Sequence, residues 1–201
     1  MNFFEYGEIE IEYLKRKDKK LGSVIDRIGM IQRTVTPDLF SALIQSVLSQ
    51  QISTKAAQTV CNRLDTLLNN EVTPQSIVSA GQDRIKSCGM SQRKAGYIIG
   101  IADAALSGLV DFSTLHTLSD EEIIKKLIPL NGVGTWTVEM LLIFSLSRPN
   151  VLSYGDLAIR RGMMSLYGLK ELPKENFERY RKRYSPYGSV ASLYLWALSA
   201  M

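Results

Sequence analysis

Leu130-Asn131-Gly132-Val133-Gly134-Thr135-Trp136-Thr137, followed after one further helix by Ser153-Tyr154-Gly155-Asp156, is the stretch that decides how this 201-residue chain is read. A capping box, Ser119-Asp120-Glu121-Glu122, opens the helix before it. Ile123, Ile124, Leu127 and Ile128 continue that helix at helical spacing, and Pro129 ends it. Gly132 and Gly134 flank Val133; they let the backbone turn sharply and leave no side chain in the way of a close approach. The next helix starts at or beside Thr135, with Val138, Leu141, Leu142 and Ser145 along it. A bare helix N-terminus of this kind presents N–H groups that favour an anion, most simply a phosphate. An ordinary Gly-capped turn between two core helices would show the same residues, and Gly-x-Gly alone is a weak signal. Nineteen residues past Trp136 come Gly155 and then Asp156, ahead of Leu157-Ala158-Ile159-Arg160-Arg161. Asp156 stands where an N-cap belongs.

Working outward, the chain reads as helices joined by short connections. Residues 8–28 are ambiguous at first, because Glu8-Ile9-Glu10-Ile11-Glu12 alternates like a strand. Helix is favoured, since no second strand of similar strength is there to pair with it. Residues 18–20 read as a charged break. Thr36-Pro37-Asp38 starts a helix, with Leu39, Phe40, Leu43, Ile44, Val47 and Leu48 as its apolar stripe. Ser49-Gln50-Gln51-Ile52-Ser53 interrupts that stripe, and Ser53 caps a helix holding Ala56, Ala57, Val60, Cys61, Leu64 and Leu67. Thr73-Pro74 opens a short helix that Gly81 ends. A long helix spans 91–107; Lys94 near its start reads as a solvated lysine or a phosphate contact. His116, the only histidine, lies in a Thr-rich connection and reads as structural or exposed rather than catalytic. Later helices run 156–167, from Pro173 to about 183, and 189–201. Chain continuity suggests one domain over 1–201 with two helical lobes: a middle one over about 36–115, and a second made from 1–35 and 116–201. A cleft between them is expected.

Composition bounds the function. Net charge is +4. Residues 151–201 hold eight Lys/Arg against four Asp/Glu, so the first 150 residues balance at sixteen of each. The surplus, which includes Arg160, Arg161 and the arginines of 179–183, suits a polyanion, although a solvated helix face would also account for any one of them. No apolar run reaches the ~18 residues of a membrane span. The first residues lack the basic and apolar regions of a signal peptide, so an intracellular, cytoplasmic protein is expected. Cys61 and Cys88 have no partner at metal-ligand spacing and read as small buried residues.

The hairpin, the aromatic Trp136 and the Gly-Asp pair, in this order, resemble the helix-hairpin-helix (HhH-GPD) DNA glycosylase superfamily. More specifically, the chain looks like its alkylation-repair branch, the DNA-3-methyladenine glycosylase II type. Three blocks carry the likeness: 40–57, 130–156, and 184–191 running on to Trp196. The resemblance implies an all-α fold without an N-terminal β lobe. It makes Asp156 the catalytic carboxylate, acting on double-stranded DNA with a damaged base flipped out of the stack. Relatives that also nick the backbone have a lysine two residues after the second hairpin glycine. Trp136 stands there, which implies a monofunctional enzyme that leaves an abasic site. Trp136, Tyr154, Trp196, Tyr187 and Met140 become candidates for the base pocket, each of which would serve equally as a core residue. Met140 replaces an aromatic of some relatives, and Gly188 an arginine of many.

Within the same resemblance, Gln50 and Gln51 stand at the wedge that fills the gap left by the flipped nucleotide. Ser53, Gly132, Val133, Gly134, Thr135 and Thr137 become DNA-contact candidates. The backbone carbonyls of Ile128, Leu130 and Val133 are candidates for holding a Na+ or K+ ion. No other cofactor is implied, and the iron–sulfur cluster of some relatives is ruled out by the cysteine count. A monomer, associated with the nucleoid when acting, is assumed. Three rival readings stand beside this one: a glycosylase for another base lesion, a non-catalytic helix-hairpin-helix DNA-binding module, and a helical scaffold.

Overall fold

The computed structural model describes Asn2–Met201. Among these residues lie twelve α-helices and one pair of two-residue strands. Two compact units are present. One joins the residues up to Val35 to Leu142–Met201; the other is Thr36–Leu141.

The first unit begins with β1 (Asn2–Phe3), then α1 (Glu8–Lys17) and α2 (Lys19–Ile28), then β2 (Thr34–Val35). The strands pair antiparallel, Asn2 opposite Val35 and Phe3 opposite Thr34. Apart from this pair the described residues fold as helices and their connections, as the all-α reading expects; two residues per strand are too few to leave a periodic signal. The charged break between α1 and α2 is also more than a break. Asp18 is only 4% exposed, and its Oδ1 accepts the N–H groups of Lys20 and Leu21 as the N-cap of α2. Its Oδ2 accepts the Tyr167 hydroxyl and, at 2.7 Å, the Arg183 guanidinium.

The second unit contains α3 (Leu39–Ser49), α4 (Thr54–Leu67), α5 (Pro74–Ala80), α6 (Gln82–Ser87), α7 (Gln92–Leu106), α8 (Asp120–Leu127) and the start of α9 (Thr135–Phe144). Side-chain caps set the entries where the sequence places them: Asp38 for α3, Ser53 for α4, Thr73 for α5, Ser91 for α7 and Ser119 for α8. Each satisfies a backbone N–H that the helix itself cannot. The apolar stripe of α3 packs against α4 and α7. Leu43 and Ile44 are fully enclosed, each contributing roughly 1.5–3 kcal/mol of burial. The unit runs to Leu141 rather than ending near 115. Its extra length is α8, the hairpin and the start of α9, and the hairpin packs on Tyr97 of α7 and is hydrogen-bonded by Gln50. The six-residue α6 has no counterpart in the sequence reading.

The first unit resumes with the rest of α9, then α10 (Leu157–Tyr167), α11 (Lys174–Tyr184) and α12 (Gly188–Ser199). α10 ends at Gly168 in the left-handed conformation, as glycine after a helix commonly does. α10 and α12 meet backbone to backbone at Gly162, where a Cβ would lie 2.1 Å from the Leu195 carbonyl oxygen. Residues 188–195 of α12 are all buried. Tyr184 closes the Asp18 cluster through a hydroxyl contact with Tyr167.

Candidate functional site

In the hairpin between α8 and α9, Leu130 N–H donates to Leu127 C=O at 3.0 Å and Val133 N–H to Leu130 C=O at 3.1 Å. The two glycines do different work. Gly132 has φ +85°, and a Cβ there would fall 2.3 Å from the Tyr97 ring, so no other residue fits. At Gly134 a Cβ would meet nothing within 4 Å. The first glycine lets the hairpin pack; the second leaves open space at the start of α9. Val133 is buried, while Gly134, Thr135 and Trp136 are exposed, the tryptophan at 40%.

Residues 50–53, between α3 and α4, place the two glutamines oppositely. Gln50 turns inward. Its Nε2 donates to Gly132 C=O at 2.9 Å and lies 3.4 Å from Thr137 Oγ1. Thr137 is 3% exposed. Gln50 and Thr137 therefore serve as internal ties between turn and hairpin, where the sequence places them as a wedge and a DNA contact. The reason is a partner 82 residues away that local pattern cannot reveal. Gln51 is exposed and carries φ +58°, an uncommon conformation for a non-glycine residue. Ile52 is exposed beside it at 40%, and Ser53, the cap of α4, is exposed as well. Lys94 is half-buried and directed onto the turn; its Nζ donates to the carbonyls of Leu48 and Gln50, each at 2.8 Å.

In the other unit, Asp156 is 7% exposed and caps α10, its Oδ1 accepting Ile159 N–H at 2.9 Å. The segment before it is pinned by two fully buried serines of α12. Ser189 Oγ accepts Val151 N–H at 2.9 Å and donates to Arg148 C=O; Ser192 Oγ donates to Val151 C=O at 3.0 Å. These serines are the site residues that sequence reasoning missed. Their signal was two small polar residues on an otherwise apolar helix.

Tyr154 packs edge-on to Phe177 at 5.2 Å, with the Arg160 guanidinium 5.2 Å over its ring. Arg160 lies one turn after Asp156, and its N–H donates to the Asp156 C=O. The structure thus groups Asp156, Tyr154 and Arg160. Trp196 packs on Phe144 at 5.4 Å, and Tyr187 edge-on to Tyr13 at 5.1 Å. Met140 is half-buried in α9. Part of the basic surplus is neutralised within α11 and beside it: Arg179 pairs with Glu175, Arg181 with Glu178 and Arg183 with Asp18. His116 is exposed on a short 3-10 turn.

Residues 44–186 match the family model described as HhH-GPD superfamily base excision DNA repair protein. The chain is 34% identical over 199 residues to DNA-3-methyladenine glycosylase 1 of Schizosaccharomyces pombe, covering 97% of this chain and 87% of that one. Among solved structures, DNA-3-methyladenine glycosidase from Bacillus halodurans superposes with a TM-score of 0.88 at 32% identity, over 100% of this chain and 94% of that one. The 3-methyladenine DNA glycosylase of Schizosaccharomyces pombe in complex with abasic DNA gives 0.86 at 32% identity, over 96% and 98% of the two chains.

Proposed function

The chain belongs to the HhH-GPD superfamily of base excision DNA repair proteins, and within it we propose a monofunctional DNA glycosylase that removes alkylated purines from double-stranded DNA. The observation that carries this reading is the buried Asp156 carboxylate, oriented by Ile159 N–H at the start of α10, in a chain that also presents an open hairpin and the exposed Trp136. Likeness over nearly the whole chain to proteins named for 3-methyladenine supports alkylated purines of the 3-methyladenine and 7-methylguanine type.

The damaged nucleotide leaves the stack, because its glycosidic bond is out of reach inside the duplex. As the C1′–N bond lengthens, positive charge gathers on the sugar. The Asp156 carboxylate stabilises that charge and orients the attacking water. The water oxygen bonds C1′, its proton is released, and the base departs with the bonding electrons. An alkylated purine is already cationic, so it leaves neutral. Trp136 offers a ring face suited to such a cation. It also occupies the place of a Schiff-base lysine, so the product is an abasic site with an intact backbone. The start of α9 and the open space at Gly134 receive a backbone phosphate. The carbonyls of Ile128, Leu130 and Val133 are where a monovalent cation would sit. Leu130 C=O already accepts Val133 N–H and keeps one lone pair for it. The protein acts as a monomer, in the cytoplasm at the nucleoid.

Incubation of the protein and of Asp156→Asn with methylated duplex DNA tests the reading. Free methylated purine and strand breaks that need alkali, both lost in the variant, are expected. Breaks without alkali would contradict the monofunctional assignment. Duplex binding with no base release by either protein would leave a DNA-binding module.

A further inference from the structure

The turn at 50–52 is held in an unusual way. It borders an open cleft of about 440 Å³, lined in part by Leu48, Gln50, Gln51, Ile52, Met90 and Lys94. On that side the turn faces open space rather than packed side chains. Its tip residue Gln51 stays in the left-handed region at φ +58°, a conformation that persists in a non-glycine residue only where the surroundings fix it. Two polar struts do so. Gln50 reaches the hairpin through Gly132 C=O, and the Lys94 ammonium spans to Leu48 C=O and Gln50 C=O.

Lys94 stands in the first turn of α7, next to Arg93 and with no acidic residue in that turn. Cations at a helix N-terminus oppose its dipole, so this placement is unfavourable for α7 itself. What it gains lies on α3. The ammonium caps two carbonyls at the C-terminal end of that helix, where the last C=O groups have no intrahelical partner and the dipole favours a cation. Desolvation lowers the Lys94 pKa below the ordinary lysine value, which fits an ammonium drawn into the protein.

We propose that Lys94 is a positioning residue for base eversion: it locks the turn bearing Gln51 and Ile52 in a preformed shape, so that the turn enters the duplex without first becoming ordered. The inference rests on the glycosylase reading. A loosened turn slows opening of the helix more than it slows the chemistry. Its loss is then greatest where the lesion is well paired, and smallest where a mismatch has already weakened the stack.

The experiment compares Lys94→Met with wild type in single-turnover release of 7-methylguanine from two duplexes, one with cytosine and one with a mismatched base opposite the lesion. The expected result is a loss of about tenfold or more on the paired duplex and less than about threefold on the mismatched one. Lys94→Arg keeps N–H donors for both carbonyls and recovers most of the paired-duplex rate. Equal losses on both duplexes, or no loss on the paired one, overturn the proposal. If Lys94→Met does not fold, Lys94→Gln, which keeps a donor without the charge, is read on the same two duplexes by the same criteria. Wild-type protein that releases no base from either duplex would instead refute the glycosylase reading.

Discussion

One helix, α10, has a buried carboxylate at each end. Asp156 caps its N-terminus, and Asp18 receives the hydroxyl of its last residue, Tyr167. Both aspartates cap a helix and are almost fully enclosed. They differ in the role each is given: Asp18 ties segments of the fold together, and Asp156 is the carboxylate that the proposed function uses. Asp18 accepts from two backbone N–H groups, a phenol and a guanidinium, and the Tyr167–Tyr184 contact closes the cluster behind it. A carboxylate so supplied with donors is committed to holding three segments together. Asp156 is oriented by Ile159 N–H and stands in a segment that Ser189 and Ser192 keep in place. Under the proposed function the first charge stabilises the fold and the second serves the chemistry, and burial alone does not tell the two roles apart.

The contrast breaks most sharply if the two aspartates prove interchangeable in their effects. Asp156→Asn is expected to lower single-turnover base release by at least about 10²–10³-fold. Asparagine caps helices about as well as aspartate, so the melting temperature should barely move. A large fall in stability would make Asp156 a structural cap after all.

Gly162→Ala comes next, because it strikes the helix between the two ends. A methyl group there collides with the backbone of α12, and overpacking of this kind typically destabilises by about 1–3 kcal/mol. Urea unfolding measures the stability loss, and base release by the remaining folded protein shows whether the Asp156 end has shifted. Asp18→Asn reverses the pattern of Asp156→Asn. It should destabilise by about 2 kcal/mol, the scale of hydrogen bonds to a charged group, with the rate of base release per folded molecule changed by less than about threefold.

Acid sharpens the same comparison. Burial alone would raise the Asp18 pKa, but the hydrogen bonds from Tyr167, Arg183 and Leu21 N–H outweigh it and hold the carboxyl below the usual range. The folded state thus favours the charged form. That stabilisation is fully present above the ordinary aspartate value near pH 4 and is lost as pH falls through the lower folded value. Urea midpoints measured from about pH 6 to pH 3 should fall less steeply for Asp18→Asn than for wild type. Ser192→Ala, the mildest change, removes one buried hydrogen bond to Val151 and should reduce stability by about 1 kcal/mol.

The helices were legible because caps and apolar spacing agree locally. Asp38, Ser53, Thr73 and Ser119 each open the helix that the pattern assigns them. Asp156 was legible for the same reason, as a cap before an amphipathic run. What escaped was set by distant partners. Residues 18–20 look like a solvated break, yet Asp18 is buried because Arg183 lies 165 positions later. Gln50 and Thr137 look like surface groups, and Lys94 like a solvated or phosphate-bound lysine; all three are spent inside the second unit. The acids that neutralise Arg179 and Arg181 were visible at helical spacing, whereas a count of charges by region hides them.

The meeting of α10 and α12 at Gly162 also bears on how such a chain can drift over generations. Side chains at a helix contact can be exchanged in compensating pairs, one growing as its neighbour shrinks. A carbonyl oxygen 2.1 Å from where a methyl would stand cannot shrink, whatever residue carries it. Position 162 therefore has no compensating partner, and lineages that keep this crossing should keep glycine there while the exposed face of α10 diverges around it.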